Sequence, residues 1–183
     1  MLNISCPGLA ICASSVAIST EPVTQPTPMI TSDTSVIAAL QASVAMHLTA
    51  IEHYSTLAEH LDRWGYSQLG EKYRADAEEE RGHFKKCVER LEFYDVAPVL
   101  THPAPSWPRH DFAGILVANM QLEQKTAIAE RANILASRAV GDELSALAFA
   151  ELLEGSEESI KDIQAVQSMI KQIGLDNYLA DKI

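Results

Sequence analysis

Four long stretches of this chain place apolar residues at three- and four-residue steps, the spacing that lines one face of an α-helix. The first runs from Thr34 to about Arg63, with Val36, Ile37, Leu40, Val44, His47, Ile51, Tyr54 and Ala58 on one stripe and Gly65 as its stop. The second starts near Ser67, carries Leu69, Tyr73, Ala77, Glu80, His83, Phe84, Cys87 and Leu91 inward, and ends at about Tyr94. The third spans Asp111 to about Arg138, with Leu116, Asn119, Met120, Glu123, Ala127, Glu130 and Ile134 inward. For the fourth, from about Asp142 to Gln172, the inner positions read as Leu144, Ala148, Leu152, Ser156, Ser159, Ile163, Val166 and Ile170. Gly174 breaks it, and Leu175 to Lys182 is the length of a short fifth helix.

The pattern predicts an all-α chain with two parts. Residues 1–33 are a Ser/Thr/Pro-rich extension in which Pro22, Pro26 and Pro28 forbid a continuous helix. Residues 34–183 form a four-helix bundle. Pro98, Pro103, Pro105 and Pro108 mark a long extended crossover between the second and third helices, in place of a tight hairpin.

Composition narrows the classes of partner. At 183 residues with 47% apolar content, the chain suits one domain with a complete core. A formal charge of −11 with 14 Lys and Arg argues against nucleic acid, whose binding draws mainly on clustered cations. Cys6, Cys12 and Cys87 are scattered and odd in number, which fits neither a disulfide framework nor a zinc ribbon and points to a reducing compartment. No uninterrupted apolar run reaches the ~20 residues of a bilayer span. The small apolar residues of Gly8 to Ile18 resemble a leader core but lack a flanking Lys or Arg, so a targeting role for residues 1–28 stays open. The expected location is the cytoplasm or an organellar lumen or matrix.

Chemistry enters through ionisable residues on apolar stripes. Glu80-Arg-Gly-His83 is an ExxH pair, and three residues is nearly one helical turn, so both side chains can reach one ion in the bundle centre. Burying an unpaired carboxylate costs several kcal/mol, so an inward Glu needs a cation or a hydrogen-bonding partner. Glu123 poses the same problem from the third helix and His47 from the first. A single divalent metal on His47, Glu80, His83 and Glu123 satisfies all four. The competing arrangement is a core histidine at His47, with Glu123 paired to His47 or His83 and no metal. Tyr54 is placed to hydrogen-bond a ligand carboxylate.

The stretches His47-Leu-Thr-Ala-Ile-Glu-His-Tyr54, Glu80-Arg-Gly-His83, Val88-Glu-Arg-Leu91, Leu122-Glu123 and Ile173-Gly-Leu-Asp-Asn-Tyr-Leu179 resemble bacterioferritin, over residues 30–183. The resemblance implies a ferritin-like four-helix bundle with the long crossover and a short C-terminal fifth helix. It also implies a hollow shell of twenty-four subunits that oxidises Fe(II) inside each bundle and stores the mineral. Six ligands per site are implied, of which Glu80, His83 and Glu123 match. The first-helix carboxylate position holds His47, and the ExxH pair of the fourth helix falls on Ser156 and Ser159. Glu154, Glu157 and Glu158 lie nearby, but the 3.6-residue repeat turns Glu157 and Glu158 away. The family's haem-ligand Met is replaced by Arg81, whose guanidinium does not ligate haem iron, so no haem is expected.

Two closely spaced irons repel and need bridging carboxylates, and Ser156 cannot bridge. The expectation is therefore a bacterioferritin-like subunit for iron binding or storage, with an impaired or mononuclear site that takes iron or another single divalent metal. It would assemble as a homo-oligomeric shell or as a hetero-oligomer with an active paralogue or larger complex. The alternative is a non-catalytic structural or accessory subunit that kept the bundle and lost the chemistry. A single-metal hydrolytic or oxygen-using enzyme is a third reading, unsupported by any marked substrate pocket.

Overall fold

A computed structural model describes residues 33–101 and 111–183. Residues 1–32 of the extension, and the Pro103, Pro105 and Pro108 part of the crossover, lie outside the described residues. Five helices follow in order: α1 (Thr34–Arg63), α2 (Ser67–Phe93), α3 (Phe112–Ala139), α4 (Glu143–Ile173) and α5 (Leu175–Ala180). Their bounds fall within about two residues of those the periodicity predicts. No strand occurs among the described residues.

Local chemistry fixes the ends. Asp33 caps α1 by accepting from the Ser35 amide at 2.8 Å, and Asp142 caps α4 by accepting from the Ser145 amide at 3.0 Å. Both tight hairpins use glycine where the chain must turn left-handed: Gly65 at φ 90° after α1 and Gly141 at φ 77° after α3.

Cross-helix contacts define the topology. Arg74 on α2 meets Asp62 near the end of α1 at 2.6 Å, and on α3 Glu130 meets Ser43 while Asn119 meets His53, so both α2 and α3 run antiparallel to α1. On the other side, Arg90 meets Asp142 and Arg138 meets Glu143, which makes α4 antiparallel to both. Thus α2 and α3 point the same way. The 27 residues of α2 span about 40 Å, and the chain must travel that length back before α3 can begin. The proline-marked crossover has this geometric cause. No tight turn makes such a connection.

Two apolar clusters fill the ends of the bundle interior. One gathers Leu57, Leu61, Leu69, Tyr73, Phe112, Leu116, Ile163 and Tyr178, and the α5 ring of Tyr178 stacks on Phe112 at 5.8 Å. The other gathers Val36, Leu40, Val44, Cys87, Leu91, Ile134, Phe149 and Leu152. Truncating a fully buried Phe149 to alanine would cost about 3–5 kcal/mol.

One inward assignment on α4 is corrected. Leu144 is 62% exposed, and Ser145, Ala146 and Phe149 are buried in its place. Repeated steps of four advance 400° and drift 40° per step from the true stripe, so a stripe traced back from Ser156 by fours loses the core face by Leu144. Among the described residues, only α1 is long and apolar enough to cross a membrane by length and composition. Its apolar stripe lies in the two clusters and its buried His47 and His53 face α2 and α3, the arrangement of a core helix.

Candidate metal centre

Between the apolar clusters the interior turns polar, in stacked layers contributed mainly by α1, α2 and α3. His47, Glu80 and His83 are all buried and form one group, with one ligand-capable atom from each lying within 4.8 Å of the others. His47 Nδ1 sits 2.7 Å from Glu80 Oε2, a hydrogen bond, whereas His83 Nδ1 lies 3.7 Å from the same oxygen, beyond hydrogen-bond reach. The two imidazoles meet edge to face with centroids 5.2 Å apart.

Burial pushes the Glu80 carboxyl toward the neutral form, but the two imidazoles outweigh it and hold its pKa down at about 2. Burial alone would lower the His83 pKa, yet the carboxylates of Glu80 and Glu79 raise it above its ordinary value. Glu80 is therefore an anion at neutral pH, flanked by the two rings. Among the described residues, two of the four buried polar side-chain atoms without a hydrogen-bond partner belong to these rings: His47 Nε2 and His83 Nδ1. His83 Nδ1 is on the Glu80 side of its ring, 3.7 Å from Oε2, whereas His47 Nε2 is on the opposite edge from Glu80 and lies 3.8 Å from Glu130 Oε1.

Packing by α4 fixes the pocket's far wall. Gly155 is buried against His83, and a Cβ there would come within 2.6 Å of His83 Cε1 and 2.9 Å of Nε2. Ser156 is buried beside it, whereas Glu154, Glu157 and Glu158 are exposed, with Glu157 paired to Arg131. The fourth helix thus brings a gap for an imidazole, and no carboxylate, to the interior at this level. Arg81 points outward, its side chain 51% exposed and 3.3 Å from Glu78.

Glu123 is not one of the three clustered ligands. It is 2% exposed and accepts a short hydrogen bond from the Tyr54 hydroxyl. Burial first, and then the negative charge of Glu80, push its pKa up to about 7. The Tyr54 ring stacks on Tyr73 at 5.8 Å, and Tyr73 in turn receives a hydrogen bond from Asn119, which bonds His53 at 2.7 Å. Neither of the metal-free pairings considered for Glu123, with His47 or His83, occurs among the described hydrogen bonds and ion pairs. Its partners are instead the hydroxyls of Tyr54 and, from α4, Ser156.

A third buried carboxylate lies on the opposite side of the His47 layer. Glu130 is fully buried, accepts from Ser43 Oγ at 2.8 Å and Asn133 Nδ2 at 3.1 Å, and lies 3.8 Å from His47 Nε2. It belongs to the predicted inward stripe of the third helix, seven residues beyond Glu123, but was not among the candidate ligands. The missed signal was its partner: Ser43 is four residues before His47, on the same face of α1.

Four helices in which the second and third run parallel, so that a long connection must join them, packed around buried carboxylate and imidazole layers, define the class of ferritin-like bundles. Residues 37–173 match the family described as a ferritin-like domain, and the chain belongs to that family. It is 25% identical to the bacterioferritin of Brucella melitensis over 139 residues, 76% of this chain and 86% of that protein. Bacterioferritins of Mycobacterium leprae and Mycobacterium avium are each 22% identical over 141 residues, 77% of this chain and 89% of theirs.

Proposed function

We propose that this chain is an iron-handling subunit of bacterioferritin type whose interior binds one divalent cation rather than two. The carrying observation is the asymmetry of the polar layer: His47, Glu80 and His83 cluster, with His83 Nδ1 left without a hydrogen-bond partner beside the Glu80 carboxylate, while α4 contributes Gly155 and Ser156 where a bridging carboxylate would be needed. Glu80 and His83 are the primary ligands and His47 the added one. Glu123, the fourth residue of the predicted set, lies in the adjacent layer bonded to Tyr54, where burial and the charge of Glu80 disfavour its ionisation. Imidazoles bind a cation in their neutral form, so Glu80 is the one negative charge among the three clustered ligands, too little for a close pair of irons.

Assembly with other subunits suits the outer face of α3 and α4, where Ile128, Leu135, Leu144 and Leu147 are each more than half exposed. Bacterioferritin relatives favour a shell of identical copies. The replaced positions Ser156, Ser159 and Arg81 favour a second reading, an accessory subunit in a larger or mixed assembly. Native mass separates the two: a uniform shell supports storage, and a single copy held by unrelated chains supports the accessory role.

Anaerobic Fe(II) titration followed by exposure to air tests the centre itself. The expected result is about one tight Fe(II) per chain with slow oxidation or none. Fast stoichiometric oxidation at two irons per chain would refute the single-cation reading.

A further inference from the structure

Glu130 is unexplained by the arrangement above. A fully buried carboxylate whose hydrogen-bond donors among the described residues are two neutral groups, Ser43 and Asn133, is costly, and replacing it with an apolar residue would relieve that cost. The two donors fix its orientation, since Ser43 binds Oε1 and Asn133 binds Oε2. The oxygen so fixed is also the one 3.8 Å from His47 Nε2, a buried nitrogen with no hydrogen-bond partner.

Building on the single-cation reading, we propose that Glu130 is the positioning carboxylate of the centre: it takes the Nε2 hydrogen of His47 and so presents Nδ1 to the cation. The proton bookkeeping supports this. Without a cation, His47 Nδ1 and Glu80 Oε2 share a hydrogen bond at 2.7 Å. A cation held by His47, Glu80 and His83 takes the place of the hydrogen on Nδ1, and the neutral ring bound there carries its single hydrogen on Nε2: a doubly protonated ring reaches this state by releasing the Nδ1 proton to solvent, and a singly protonated one by losing it from Nδ1 and taking one up on Nε2. That hydrogen faces Glu130, and closing the gap to hydrogen-bond length takes a shift of about 1 Å. Metal-ligating histidines ordinarily donate their second nitrogen to such a carboxylate, which fixes the tautomer and strengthens the ligand. Here the anchor comes from α3, while the cation's direct ligands come from α1 and α2.

The test uses the full chain. In Zn(II)-loaded protein with ¹⁵N-labelled histidine, long-range ¹H–¹⁵N spectra should show His47 protonated at Nε2 and cation-bound at Nδ1. In Co(II) titrations, E130Q should weaken binding about 10–100-fold and shift the Co(II) ligand-field bands. S43A, which leaves the carboxylate but frees it, should give a smaller loss in the same direction. Should E130Q fail to fold, S43A and the wild-type tautomer carry the test. Wild-type affinity and bands in E130Q and S43A, or a His47 bound through Nε2, would overturn the positioning role while leaving the single-cation reading intact. Failure of the wild-type chain to bind either Zn(II) or Co(II) would overturn both.

Discussion

Glu80 and Glu123 are the same residue type, buried to nearly the same depth in adjacent layers of one bundle, and they are driven in opposite directions. Glu80 lies between two imidazoles that overcome its burial and is held ionised with a pKa of about 2, whereas Glu123 has no such partner, and burial together with the field of Glu80 raises it to about 7 although the Tyr54 hydroxyl favours its anion. Burial opposes ionisation in both, so the neighbours decide. The half of the interior built by α1 and α2 is prepared for a cation. The half facing α4 has settled for hydrogen bonds.

The largest expected effect is the loss of the anion itself. E80Q keeps the shape of the side chain but removes the charge that holds both imidazoles, and should weaken Co(II) or Fe(II) binding at least about 100-fold in calorimetry. Retention of wild-type affinity in E80Q would show that the layer is only a hydrogen-bonded core.

The pH dependence of stability separates the two carboxylates. For Glu123 the folded pKa is raised, so its stabilising contribution is complete below the unfolded pKa near 4.5 and is lost as pH rises through about 7. For Glu80 the folded pKa is lowered, so its contribution is present above about 4.5 and is lost as pH falls toward 2. Cation-free E123Q, which stays neutral and can still accept from Tyr54, should therefore be more stable than wild type at pH 8 by up to about 3 kcal/mol and little changed at pH 5. Urea melts at the two pH values measure this. An equal difference at both would mean that the ionisation of Glu123 is not what distinguishes the layers.

Much of this contrast was legible in the sequence, because an ionisable residue on an apolar stripe is conspicuous. The stripes of α1 and α2 placed His47, Glu80 and His83 inward, and the ExxH spacing put the last two on one turn. The serines at 156 and 159 already marked α4 as the depleted helix. The grouping was less legible, because a helical stripe gives direction but not level: Glu123 points inward yet sits in the Tyr54 layer, outside the cluster of three. Glu130 lies on the inward stripe, but its significance rests on Ser43, a residue too small and neutral to stand out in a stripe. The role of Gly155 could not be read at all. Only the close approach of His83 across the α2–α4 contact shows why a side chain is excluded there.

That last position carries the smallest prediction. In a helix interior, Gly to Ala ordinarily stabilises by about 1 kcal/mol. At Gly155 the added methyl would lie 2.6 Å from His83 Cε1 and 3.2 Å from Glu79 Oε1. The ring can yield only by moving toward Glu80 or by parting α2 from α4, and such overpacking costs about 1–3 kcal/mol, leaving a net loss of about 1 kcal/mol. G155A should therefore melt a few degrees below wild type when cation-free, and bind Co(II) several-fold more weakly because His83 is pushed from its place. The two readouts bear on different claims. A lower melting point with unchanged Co(II) affinity would mean that His83 packs against α4 without serving as a ligand, leaving His47 and Glu80 to hold any cation. A stabilised G155A would mean that α2 and α4 part easily, and that the wall behind His83 is softer than the packing requires.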